Sequence, residues 1–83
     1  MYYVYLIVSK IKNKTTSYVG YTNDIKKRVK QHNESKGAKF TKGKKWNLVY
    51  YKGYDKKNIA MKEEYKLKKN YKLRNIIKFR NLN

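Results

Sequence analysis

The chain has no cysteine and no proline, only 4 glycines and 5 acidic residues among 83, and no long apolar run. Without cysteine there is neither a disulfide framework nor a thiolate metal centre, which excludes a small cross-linked secreted scaffold and a zinc ribbon. A reducing, cytoplasmic setting is expected. The apolar opening, residues 4–8, is too short for a signal peptide core or a membrane span, so no membrane association is expected. The lack of acid leaves 23 Lys and Arg against 5 Asp and Glu, a net charge of +18. Such a chain repels itself when compact and seeks polyanions, which makes nucleic acid the leading partner class.

The cations are 20 Lys and only 3 Arg. Lysine meets phosphate as a point charge, whereas arginine forks onto guanine edges, so contact with the backbone is expected rather than base readout. Lys, Asn, Tyr and Ile are all abundant, and all have A/T-rich codons. Biased base composition is therefore a second source of the lysine excess. At 83 residues the chain, residues 1–83, is expected to form one domain with a modest core, burying about 60–65% of its unfolded surface.

Residues 2–8 alternate, with Tyr2, Val4, Leu6 and Val8 facing one way and Tyr3, Tyr5 and Ile7 the other, as in a strand. The polar residues 11–16 suit a hairpin connection, residues 17–21 a short second strand, and Gly20 its end or bend. Thr22, Asn23 and Asp24 are candidate caps for a helix over residues 24–34, on which Ile25, Val29 and His32 share a stripe about 60° wide, bordered by Arg28. Residues 35–45 read as a mobile basic loop and residues 46–54 as a third strand. Asn58 suits the cap of a second helix to about Lys69. A third helix over residues 71–79 is expected to carry Leu73, Ile76, Ile77 and Phe79 to the core, with residues 80–83 frayed. The expected class is α+β, in the order β-β-α-β-α-α.

Glu64 is where pattern and polarity conflict. Ala60, Met61 and Leu67 bracket it on the inward face of its helix, and a buried carboxylate needs a cation, strong hydrogen bonds or an active-site cleft. One such carboxylate suffices for Mg²⁺, which retains several waters. A plain pairing with Lys68 one turn on accounts for it equally well. His32 and Arg28, four apart, project from one helix face, where packing and surface charge are the ordinary roles. Most of the 10 tyrosines supply bulk to a sparse core. Tyr5 and Tyr18 differ because they lie on neighbouring strands near the start of the Arg28 helix.

Taken together these residues resemble the GIY-YIG endonuclease superfamily, in particular its small stand-alone bacterial members. Tyr3, Val4 and Tyr5 stand at the GIY position and Tyr18, Val19 and Gly20 at the YIG position. The likeness continues through Thr22, Asp24, Arg28, His32, the run Gly37 to Thr41, Leu48 to Tyr50, and Ala60 to Glu64 with Lys68. The resemblance implies a three-stranded antiparallel sheet flanked by helices, with Tyr5, Tyr18, Arg28, His32 and Glu64 facing one groove as catalytic residues. It also implies metal-dependent hydrolysis of DNA phosphodiesters with one Mg²⁺ or Mn²⁺ on Glu64, structure-selective in repair or recombination. Lys39, Lys42, Lys44, Lys45 and Lys68 are expected to hold the backbone, and a protein partner to supply targeting.

This chain departs from the family pattern at Tyr3, where the first glycine belongs, and at Val4 and Val19, which replace isoleucines. The valines are mild changes. A ring at Tyr3 narrows the groove or offers a stacking surface. The rival expectation is a non-catalytic basic module that binds DNA or RNA through the same fold.

Overall fold

A computed structural model of the chain describes residues 1–80. Its elements are β1 (Tyr2–Ile11), β2 (Lys14–Thr22), α1 (Ile25–Asn33), a short 3-10 turn (Lys39–Thr41), β3 (Asn47–Tyr54), α2 (Lys57–Lys69) and α3 (Tyr71–Arg80). The order is the expected β-β-α-β-α-α. The three strands form one antiparallel sheet with β1 in the middle, β2-β1-β3. Among the described residues, no helix is long and apolar enough to cross a membrane.

The central strand is buried on both faces, and its alternation sorts the core into two layers. Val4 and Leu6 join Val19, Ala60 and Leu67 beneath α2, whereas Tyr5 and Ile7 join Trp46, with Tyr18 and Val29 packed against them, beneath α1. Both hairpin strands run longer than residues 2–8 and 17–21, because Ile11 still pairs with Lys14 across a two-residue turn at Lys12 and Asn13. The left-handed residue of that turn is Lys12, at φ 56. Gly20 neither ends nor bends β2; it pairs with Tyr5 inside the ladder.

Of the three candidate caps for α1, Asp24 performs the role, its Oδ1 accepting from the Lys27 amide at 3.1 Å. Asn58 does not cap α2, which begins one residue earlier and has no side-chain cap. Asn70 caps α3 instead, accepting from the Leu73 amide at 3.0 Å.

Three expectations about packing fail. Met61 is exposed, since it lies about 100° around the helix from Ala60, while Glu64 and Leu67 lie within about 40° of it. Leu73, Ile76 and Phe79 are exposed too, and of the α3 apolar residues only Ile77 packs on the core. α2 already covers that face of β1, so α3 sits at its margin with one residue turned in. Residues 35–45 are not a free loop. Asn33 brackets Trp46 by accepting from its amide and donating to its carbonyl, the Trp46 Nε1 donates to the Thr41 carbonyl, and the Gly43 amide donates to Ser35 Oγ. Of residues 80–83, where fraying is expected, Arg80 is the last residue of α3, and 81–83 lie outside the described residues.

Candidate active site

The site grows from a strand pair. Tyr5 on β1 sits opposite Gly20 on β2, and a Cβ built on Gly20 would overlap the Tyr5 hydroxyl. Only a residue without a side chain lets the phenol lie across the neighbouring strand, which is the physical requirement behind the glycine of the Tyr18, Val19, Gly20 motif. Tyr5 is 1% exposed.

The phenol ends at His32 on α1, with its oxygen 2.8 Å from Nε2. The other ring nitrogen, Nδ1, lies 2.8 Å from Thr41 Oγ1, and that hydroxyl lies 2.8 Å from the Ala38 carbonyl. Hydrogen accounting fixes the direction of the chain. A carbonyl only accepts, so Thr41 spends its one hydrogen on Ala38 and must accept from Nδ1–H. The neutral ring then carries no hydrogen on Nε2, which accepts from the Tyr5 hydroxyl. Burial, and secondly the Arg28 charge, hold His32 below the ordinary histidine value of 6.5, so the ring is neutral near pH 7. Gly37 passes so close to the ring that a Cβ there would overlap Nδ1.

Arg28 borders this chain and donates from Nη1 to Gln31 Oε1 at 3.2 Å. Burial raises the Tyr5 phenol above its ordinary value, the adjacent Arg28 guanidinium opposes that shift, and the charges of Tyr18 and Glu64 add to it. Tyr5, Tyr18 and His32 are in direct contact, Arg28 stands beside them, and Glu64 acts on Tyr5 only through its charge. Tyr18 packs its ring on His32 at 5.2 Å between centroids. Glu64 belongs to the other side of the sheet, with Ala60 and Leu67, and does not line the depression beside the edge strand β2 in which Arg28 stands. That depression, of about 530 Å³, is lined by Tyr21 and Thr22 of β2, Lys27 and Arg28 of α1, and Tyr2 and Lys57 from the α2 side.

Glu64 is inward-facing, its side chain 16% exposed, and it pairs with Lys68 at 3.5 Å. The pattern conflict and the plain pairing are therefore both present. Lys68 stands apart from the other expected backbone-binding lysines: Lys39, Lys42 and Lys45 are exposed around the 3-10 turn, and Lys44 donates to the Phe40 carbonyl at 3.3 Å. Tyr3 leans the other way from Tyr5, over Gly53 and edge-on to Tyr51, where it lines a separate depression with Leu48 and Ile25. It does not narrow the Arg28 depression.

Sequence reasoning does not single out Thr41, the acceptor that orients His32, although it ends the run Gly37 to Thr41 that resembles the family. The available signal was an isolated hydroxyl between basic residues, too weak alone. Among the described residues, no three His, Cys, Asp or Glu gather as a metal cluster.

A family model described as the GIY-YIG catalytic domain matches residues 1–77. A UPF0213 protein of Staphylococcus saprophyticus is 40% identical over 67 residues, covering 80% of this chain and 78% of that protein. A UPF0213 protein of Halobacterium salinarum is 39% identical over 68 residues, covering 81% and 84%. The UPF0213 protein YazA of Bacillus subtilis is 49% identical over 49 residues, covering 58% and 50%. The chain thus spans about half the length of YazA, and 56% of a Bacillus velezensis relative. The solution NMR structure of a UPF0213 protein from Bacillus halodurans shares 32% identity, covering 88% of this chain and 78% of that one, with a TM-score of 0.44. The names of these relatives assign no activity. On the family match over residues 1–77, the chain belongs to the GIY-YIG catalytic domain family, a family of nucleases.

Proposed function

We propose that this protein is a cytoplasmic endonuclease that hydrolyses DNA phosphodiester bonds with one Mg²⁺ or Mn²⁺, in the structure-selective cleavage of repair or recombination. The observation that carries the reading is the directed hydrogen-bond chain from Tyr5 through His32 to Thr41, bordered by Arg28. Glu64 suits a hard divalent ion, being a largely shielded carboxylate whose ionic partner among the described residues, Lys68, is half exposed and 3.5 Å away. A single carboxylate is enough for a site that keeps its waters. When bound, such an ion supplies Lewis-acid neutralisation of the phosphate and the leaving oxygen.

The chain's own residues do the rest. Tyr5 takes a proton from the attacking water as it passes its own to Nε2 of His32, which holds Nδ1–H on Thr41 throughout. The water oxygen forms the new bond to phosphorus, the bond to the leaving sugar oxygen breaks, and the proton rests on the imidazole. Arg28 stabilises the charge that gathers on the phosphate oxygens, and Tyr18, half buried beside the ring, orients the water. Since Tyr5 is 1% exposed, this transfer requires that substrate binding open its surroundings to one water.

The test is nicking of supercoiled and branched DNA with Mg²⁺ or Mn²⁺. Tyr5→Phe, Arg28→Ala and Glu64→Ala are each expected to lower the rate by about 100-fold or more, with binding in chelator nearly unchanged. Undiminished cutting by any of the three refutes its assigned role. The Glu64 and Lys68 pair favours a second reading, a binding module without turnover, and absence of nicking on every substrate alongside salt-sensitive binding selects it.

A further inference from the structure

The end of β2 remote from Thr22 borders a third depression, of about 430 Å³, between the strand, the 3-10 turn and α3. Lys14, Ser17, Phe40, Lys44, Arg74 and Lys78 belong to its lining, and no Asp or Glu does. The two ion pairs among the described residues, Lys66 with Glu63 and Lys68 with Glu64, both lie on α2. These four cations are therefore gathered without a carboxylate partner among the described residues. In a chain of net charge +18 that convergence is unfavourable until an anion arrives.

Arg74 is the fixed point. Its guanidinium carbon lies 4.6 Å from the Tyr71 ring centroid, Nη1 is 3.5 Å from Ser17 Oγ, and Nε is buried without a partner. Ring and hydroxyl hold the fork in place, as suits a planar contact with phosphate. It is also 1 of 3 arginines in a lysine-rich chain, a signal available in the sequence.

Cations alone fit any phosphate. The aromatics narrow the choice, since Phe40 is 52% and Tyr71 70% exposed in the same hollow. Each ring carries one of these cations, Lys44 at 5.2 Å over Phe40 and Arg74 at 4.6 Å over Tyr71. A phosphate that draws the mobile Lys44 ammonium to itself frees the exposed Phe40 ring for a base that is not already paired. Phe40 also stacks on Tyr18, 6.1 Å between centroids at 22°, so the hollow adjoins the Tyr18 and His32 side of the candidate active site.

We infer that this hollow is a subsite for an unpaired nucleotide beside the cleaved bond, with Arg74, Lys78 and Lys14 holding its phosphate and Phe40 stacking its base. Placing it beside the cleaved bond rests on the nuclease reading; the binding itself does not.

Fluorescence anisotropy in chelator tests it, with an oligothymidylate strand, an abasic strand of equal length and a duplex as probes. The parent protein is expected to prefer the oligothymidylate strand to both others at matched salt. Phe40→Ala is expected to weaken oligothymidylate binding by about 5- to 100-fold while leaving the abasic strand unchanged. Arg74→Ala is expected to weaken both strands and to remove about one unit of salt slope. Lys78→Ala is expected to show the same slope change, and it serves if Arg74→Ala proves unfolded by circular dichroism. Lys26→Ala, outside the hollow, is expected to preserve the ratio of strand to duplex binding. Equal or tighter binding of duplex, or an unchanged affinity in Phe40→Ala, overturns the inference. Strand preference without any turnover keeps the subsite and removes the nuclease reading; turnover with no effect of Phe40→Ala does the reverse.

Discussion

The Thr41 hydroxyl has one hydrogen to give, and it goes to the Ala38 carbonyl 2.8 Å away. Everything about the His32 tautomer follows from that. In Thr41→Val the Nδ1–H faces a methyl group in a fully buried setting, and an unpaired buried donor costs about 1–3 kcal/mol. Urea unfolding is expected to show a loss of that size, and nitrogen chemical shifts of the ring a loss of the single tautomer; two unchanged readings refute the chain's direction. The same ring sets an acid limit to stability. His32 is held below 6.5 by burial and Arg28, so the unfolded chain binds its proton first on acidification. Its stabilising contribution is present above 6.5 and is lost as pH falls through the lowered folded value. With 1 histidine in the chain, the slope of the denaturation midpoint just below pH 6.5 belongs to it, and is expected to vanish in His32→Gln.

Among the elements, β2 does most to assemble the site. It is an edge strand, so a ring from β1 can cross it and side chains from the layers above and below can meet over it. Gly20 makes that crossing sterically feasible. In Gly20→Ala the new methyl overlaps the Tyr5 hydroxyl, and overpacking of this kind costs about 1–3 kcal/mol. Chemical denaturation is expected to show that cost together with loss of nicking; unchanged stability with unchanged cutting would mean that the phenol does not need this path. α2 contributes through one face. Ala60 and Leu67 anchor it to the sheet, and Glu64 shares their side, which is why its carboxylate is shielded while Met61 is not. The element least legible in advance is α3, whose apolar residues at helical spacing read as a core stripe. Spacing tells which residues share a face, and nothing about whether a neighbouring helix has already taken the surface they need.

Across the whole molecule, charge is the dominant quantity. A net +18, spread over most of the chain, makes nucleic-acid binding a matter of counterion release. Duplex binding in chelator is expected to weaken with salt at a log–log slope of about −3 or steeper, equivalent to three or more phosphate contacts. A slope near zero would refute backbone binding by the exposed lysines Lys39, Lys42 and Lys45. The excess also has a structural consequence: with 5 acids in the chain, cations such as Arg74 pair with no carboxylate among the described residues.

The alternation of residues 2–8, the helical spacing of Arg28 and His32, and the inward position of Glu64 between Ala60 and Leu67 were all legible in the chain itself. Each is a local periodicity, and periodicity is a property of neighbours in sequence. The order of elements followed from the same patterns, and the ordered tyrosine, arginine, histidine and glutamate positions pointed to the family. What only the tertiary structure decided is which surfaces meet: that Tyr5 reaches across Gly20 to His32, that Thr41 selects the tautomer, that α3 is left with most of its apolar face uncovered, and that Arg74 stands in a hollow without an acid. Those outcomes depend on contacts between residues far apart in the chain, governed by steric clearance, hydrogen-bond accounting and competition for one sheet face, none of which has a period to read.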